Sequence, residues 1–94
     1  MDNQHKLIKG YRDLSQGEID LMNEIKSAGA LLDAIILKVQ DHIEDQFAAA
    51  DTGSEAELAR LESADPVTWC TQAKHELQTG LMKLTRSVAQ PTFF

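Results

Sequence analysis

Apolar residues recur through the first half of the chain at Met22, Ile25, Gly29, Leu32, Ile36, Val39 and Ile43, spaced 3, 4, 3, 4, 3 and 4. That alternation returns the same side of an α-helix every two turns, so it predicts one long amphipathic helix with a heptad seam. Ile19, Ile35 and Phe47 widen the stripe beyond a narrow seam. A second apolar line, Cys70, Ala73, Leu77, Gly80, Leu84 and Val88 with Trp69 and Leu81 beside it, predicts another long helix. Gly29 lies on the first seam, where it weakens the helix by about 1 kcal/mol but lets another backbone approach closely.

The start and stop signals divide the chain. Leu14-Ser15-Gln16-Gly17-Glu18-Ile19 pairs an N-cap serine with a glutamate three residues on, a capping box, and Leu14 with Ile19 form a hydrophobic staple. Ser54 and Glu57 repeat the box after Asp51-Thr52-Gly53 breaks the pattern. Asp65-Pro66 reads as N-cap and first helical residue of the last helix, and Pro91 stops it. The chain is therefore read as a single domain over 1–94. A basic N-terminal segment (1–13) precedes a long helix (15–50), a short helix (54–63) and a last long helix (66–89). The expected fold is all-α, a long antiparallel helical hairpin with a short linking helix. Its apolar stripe is broader than one hairpin interface needs, which predicts assembly into a symmetric oligomer.

Composition narrows the function. Net charge is −6, but residues 1–12 hold Lys6, Lys9 and Arg12 against Asp2, or +2, which leaves −8 on the remainder. A small basic patch on an acidic body suits a compact anion better than DNA, which is met by an extended basic face. Cys70 is the one cysteine, so no internal disulfide forms, in keeping with a reducing compartment. No apolar run is long enough to span a membrane, and Met1 to Gly10 lacks the apolar core of a secretion signal. The expectation is a soluble, cytoplasmic protein without membrane partners.

Catalytic and metal constellations are absent from the sequence pattern. His5, His42 and His75 are not spaced with Cys or Glu as a zinc set, and His42 among Asp41, Glu44 and Asp45 reads as a solvated helix face. Cys70 on the apolar line reads as a packed thiol. There is no glycine-rich phosphate loop, no nucleophile elbow and no distinct acid–base pair, so the chain is not read as an enzyme and no cofactor or metal is expected. Tyr11 and Lys26 stand out. Tyr11 lies beside the basic cluster just before the first cap and offers a ring face on which a base can stack. Lys26 flanks seam residue Ile25 and is the only basic residue between Arg12 and Lys38. The plainer alternatives are a tyrosine packed over the helix start and a lysine paired with a neighbouring acid. A helical adaptor that binds a protein partner through its heptad seam also fits the pattern.

Ile8-Lys9-Gly10-Tyr11-Arg12-Asp13-Leu14-Ser15 through Lys26, together with Trp69 and the run Leu77-Gln78-Thr79-Gly80 through Pro91, resembles the phage anti-CBASS type 2 cyclic-nucleotide sponges. A related hairpin occurs in anti-Thoeris sponges. The matching stretches are 8–26 and 69–91. The resemblance implies a hexamer that sequesters cyclic dinucleotides such as 3′,3′-cGAMP between protomers, without cleavage. This would block CBASS anti-phage defence in the cytoplasm of the infected bacterial host. It assigns base stacking to Tyr11 and phosphate contact to Lys26, with Arg12 adjacent to them. It also implies a second pocket for cyclic trinucleotides near the start of the last helix, at Val67, Thr68, Thr71 and Lys74.

Overall fold

The computed structural model describes residues 13–92. The basic segment before Asp13, with Tyr11 and Arg12, and the aromatic pair Phe93 and Phe94 lie outside the described residues. Among the described residues the structure is all-helical: α1 (Gln16–Asp51), α2 (Glu55–Ala64) and α3 (Pro66–Ala89). None of these helices is long and apolar enough to cross a membrane.

Local chemistry sets the helix ends. At α1 the Ser15 N–H donates to Glu18 Oε1 at 2.8 Å, and the Glu18 N–H donates back to Ser15 Oγ at 3.2 Å. This is the reciprocal box that the spacing predicts, and it satisfies two donors a bare helix start would leave unpaired. The α1 C-terminus turns tightly, with the Gly53 N–H bonded to the Ala50 carbonyl at 3.2 Å. A Cβ at Gly53 would stand 3.0 Å from the Ala49 carbonyl oxygen, and a backbone atom cannot easily give way.

Only half of the second box forms. Ser54 is extended (φ −101, ψ 125) and its hydroxyl accepts from the Glu57 N–H. Glu57 does not reach back. Its carboxylate pairs with Arg60, at 2.9 Å from Nε and 2.5 Å from Nη2. That hydrogen bond, and then the nearby positive charge, hold the Glu57 carboxyl below its ordinary range.

Asp65 holds the N-cap place that the sequence predicts, directly before Pro66 as the first residue of α3, but its conformation is not the usual extended one. It takes a left-handed conformation (φ 52, ψ 53), and its N–H closes α2 on the Leu61 carbonyl at 3.0 Å. Its own carbonyl accepts from the Trp69 N–H at 3.3 Å, while its carboxylate accepts from the Thr68 hydroxyl at 2.9 Å and not from a backbone N–H. One residue thus ends one helix and begins the next. The following proline disfavours the right-handed helical conformation there, which leaves few alternatives. Gln90 (φ 53) ends α3 in the same way, with its N–H on the Arg86 carbonyl at 2.8 Å.

The chain divides into two compact units. Unit 1 joins the chain up to Gly29 with Gln78 onward, and unit 2 is Ala30–Leu77. In unit 1 the helices run antiparallel, since Gly29 meets Leu81 while Met22 shares a surface with Ala89 and Pro91. A Cβ at Gly29 would approach Leu81 Cδ1 to 3.2 Å, so the space left by this glycine is taken by a side chain, not by a partner backbone. Unit 2 packs the rest of α1, α2 and the first half of α3, and it holds the buried residues Ile36, Ile43, Ala50 and Leu61.

Two features of the apolar pattern move. Val39, expected on the seam, is 42% exposed, and Gln40 takes the half-buried place. A straight helix drifts against a 3.5-residue repeat, and one extra residue absorbs the drift. On α3 the inward line is Cys70, Lys74, Leu81, Thr85 and Val88, one residue away from the expected Ala73, Gly80 and Leu84. Lys74 is half-buried on this line, and the Thr85 hydroxyl donates to the Leu81 carbonyl at 2.9 Å.

Candidate functional site

Lys26 lies on α1 in unit 1, exposed, beside half-buried Ile25. It makes no ion pair with any described residue, so the plainer expectation of a lysine neutralised by a neighbouring acid does not hold among the described residues. It stands four residues, about one helical turn, beyond Met22 and therefore on the same helix face.

The antiparallel pair in unit 1 leaves a groove on each side. One, of about 450 Å³, is lined by Leu21, Glu24, Ile25, Ala28, Leu81, Leu84 and Val88. The other, of about 370 Å³, is lined by Met22, Met82, Thr85, Arg86, Ala89 and Pro91. The two are alike in apolar floor but differ in charge among the described residues, since the first carries a carboxylate and the second a guanidinium. Sequence reading did not single out Arg86. Its signal, an arginine four residues after Met82 in the last turn of α3, becomes informative only once Met82 and Met22 are known to share a groove.

The expected trinucleotide residues lie in unit 2. Val67 and Thr71 line a groove of about 230 Å³ with Gln40, Ile43, Glu44 and Cys70. Thr68 and Lys74 are not among its lining residues. Both threonine hydroxyls donate internally, Thr68 to the Asp65 carboxylate and Thr71 to the Val67 carbonyl, each at 2.9 Å. Pro66 has no N–H and the Trp69 N–H is bonded to Asp65, so α3 presents few free donors at its start. Cys70 is a half-buried free thiol. Among the described residues no His, Cys, Asp and Glu side chains converge into a set able to hold a metal ion.

These features define a small all-α domain of two long helices and a short connector, with grooves alongside the long helices. Residues 3–89 match the hairpin domain of the Acb2/Tad1 family, and the chain belongs to that family, the one its two terminal motifs resemble. It is 41% identical to Anti-CBASS protein 2 of Pseudomonas phage JBD67, over 97% of this chain and 97% of that protein.

Proposed function

We propose that the protein blocks CBASS defence in the cytoplasm of an infected bacterium by sequestering cyclic dinucleotides, 3′,3′-cGAMP among them, without cleaving them. The pockets lie between protomers of a hexamer. The observation that carries this reading is Lys26, an exposed cation on an acidic chain, unpaired among the described residues in a family that includes an anti-CBASS protein. Each protomer contributes Tyr11 for stacking and Lys26 for phosphate, with Arg12 in support. A twofold interface presents each of these twice, to match the near-twofold symmetry of a 3′,3′-linked ligand. Val67, Thr68, Thr71 and Lys74 are proposed for a second, cyclic-trinucleotide pocket.

Assembly is supported by what a single chain leaves uncovered. Leu31 is 65% exposed, Trp69 67% and Met82 71%, with Leu21, Ile35, Leu37 and Leu84 around half exposed. Apolar faces of this extent are covered by other protein surfaces. Light scattering at micromolar concentration is expected to give six chains per particle, and a stable monomer overturns the assembly.

Lys26→Ala is expected to weaken 3′,3′-cGAMP binding about tenfold to a hundredfold in calorimetry, as loss of a charge-assisted phosphate contact does. Particle size should not change, because an exposed side chain leaves no cavity. Unchanged affinity rejects the assignment. Nucleotide recovered intact after denaturation distinguishes sequestration from hydrolysis. A protein that binds no nucleotide at all favours the adaptor reading instead.

A further inference from the structure

We infer that Arg86 is a second cationic contact for the cyclic dinucleotide, holding phosphate over the Met22–Met82 groove that Lys26 borders. This rests on the sequestration reading and adds a residue from the opposite helix.

Three observations lead there. The first is position. Arg86 lines the groove with Met22 and Met82, and Lys26 follows Met22 by one turn on the same face of α1. The two cations therefore flank one surface from the two antiparallel helices of unit 1. The second is contrast. Among the described residues, the groove on the other side of the same helix pair has Glu24 in its wall and no cation, whereas the Arg86 groove has no carboxylate in its lining. An anion that samples both sides of unit 1 is repelled on one and attracted on the other. The third is shape and surface. A groove of about 370 Å³ falls within the size range of small-molecule sites. Its methionine floor is soft and polarizable, a surface on which a flat ring packs well. Arginine adds a planar fork that matches phosphate oxygens two at a time, which lysine does not.

Arg86 also stands in the last turn of α3, where a cation favours the helix C-terminus. The test must separate that role from ligand contact. Calorimetry with 3′,3′-cGAMP is run on the full-length protein and on Arg86→Ala, Arg86→Lys and Lys26→Ala, each checked for helix content and particle size. Arg86→Ala is expected to lose about tenfold or more in affinity, and Arg86→Lys, which keeps the charge but not the fork, to recover only part of it. The gap between wild type and Arg86→Ala should narrow at high salt, as screening weakens a charge contact. A purely structural arginine would leave that salt dependence unmoved. Should Arg86→Ala disassemble, Arg86→Gln is read by the same thresholds. An affinity within about twofold of wild type for the arginine variants, with Lys26→Ala weakened, overturns the role of Arg86 and leaves the sequestration reading standing. Absence of binding by the wild-type protein overturns both.

Discussion

Replacing Tyr11 by alanine is expected to remove most of the cyclic dinucleotide affinity, while Tyr11→Phe retains much of it. Tyr11 lies outside the described residues, so its expected role rests on its chemistry and on the family match, which begins at residue 3 and includes it. Stacking uses the ring face, which phenylalanine keeps. A base on an aromatic contributes about 1–3 kcal/mol, and two copies per twofold pocket give about 2–6 kcal/mol. That is roughly thirtyfold to more than ten-thousandfold in affinity. The lost hydroxyl is worth only about 0.5–1.5 kcal/mol for each hydrogen bond. Helix content should survive both changes, since Tyr11 precedes the Ser15–Glu18 box. Equal losses for the two variants would mean that stacking is not the main source of affinity. No loss in either would move the pocket elsewhere.

The second large effect concerns stability. Leu61 is 2% exposed, the most buried large side chain among the described residues, and it sits on the ten-residue helix α2. Leu61→Ala should destabilise the protein by about 2–5 kcal/mol, the sum of lost transfer energy and the cavity left behind. Stabilities of such domains are about 5–15 kcal/mol, so the variant should unfold at markedly lower urea. Denaturation must be compared at one protein concentration, because assembly adds to apparent stability. A loss under about 1 kcal/mol would mean that α2 contributes little to holding unit 2 together.

Much of the fold is legible because helix starts are written locally. Ser15 with Glu18, and Ser54 with the Glu57 N–H, are contacts between residues three apart, and no tertiary information is needed to find them. The inward face of α3 is different. Gly80, Leu81, Met82 and Leu84 offer several apolar lines of similar quality, and the true line passes through Lys74 and Thr85. A lysine and a back-bonded threonine look polar in sequence, yet both take half-buried places in the fold. Asp65 is only half legible for a related reason. An aspartate before a proline signals the helix start that the structure shows, but Asp65 also closes the preceding helix, and that second demand sets its conformation. In the candidate site, Lys26 stands out by charge scarcity along the chain. Arg86 is hidden because nothing in one dimension says that Met22 and Met82 line one groove.

The Asp65 joint also governs where the chain tolerates changes of length. A single residue there carries the closing bond to Leu61 and the opening bond from Trp69. One inserted residue would turn the start of α3 by about 100° about its axis relative to α2. Cys70 would leave the inward line, and the Val67–Thr71 groove wall would be rebuilt from other side chains. The turn at Thr52–Ser54 is exposed, and its hydrogen bonds are local: Thr52 Oγ1 and the Gly53 N–H to the end of α1, and the Ser54 hydroxyl and carbonyl to the start of α2. Extra residues accepted between Thr52 and Ser54 would keep both helix starts intact. The sequence can therefore grow or shrink at one end of α2 while the other end acts as a fixed reading frame for everything that follows.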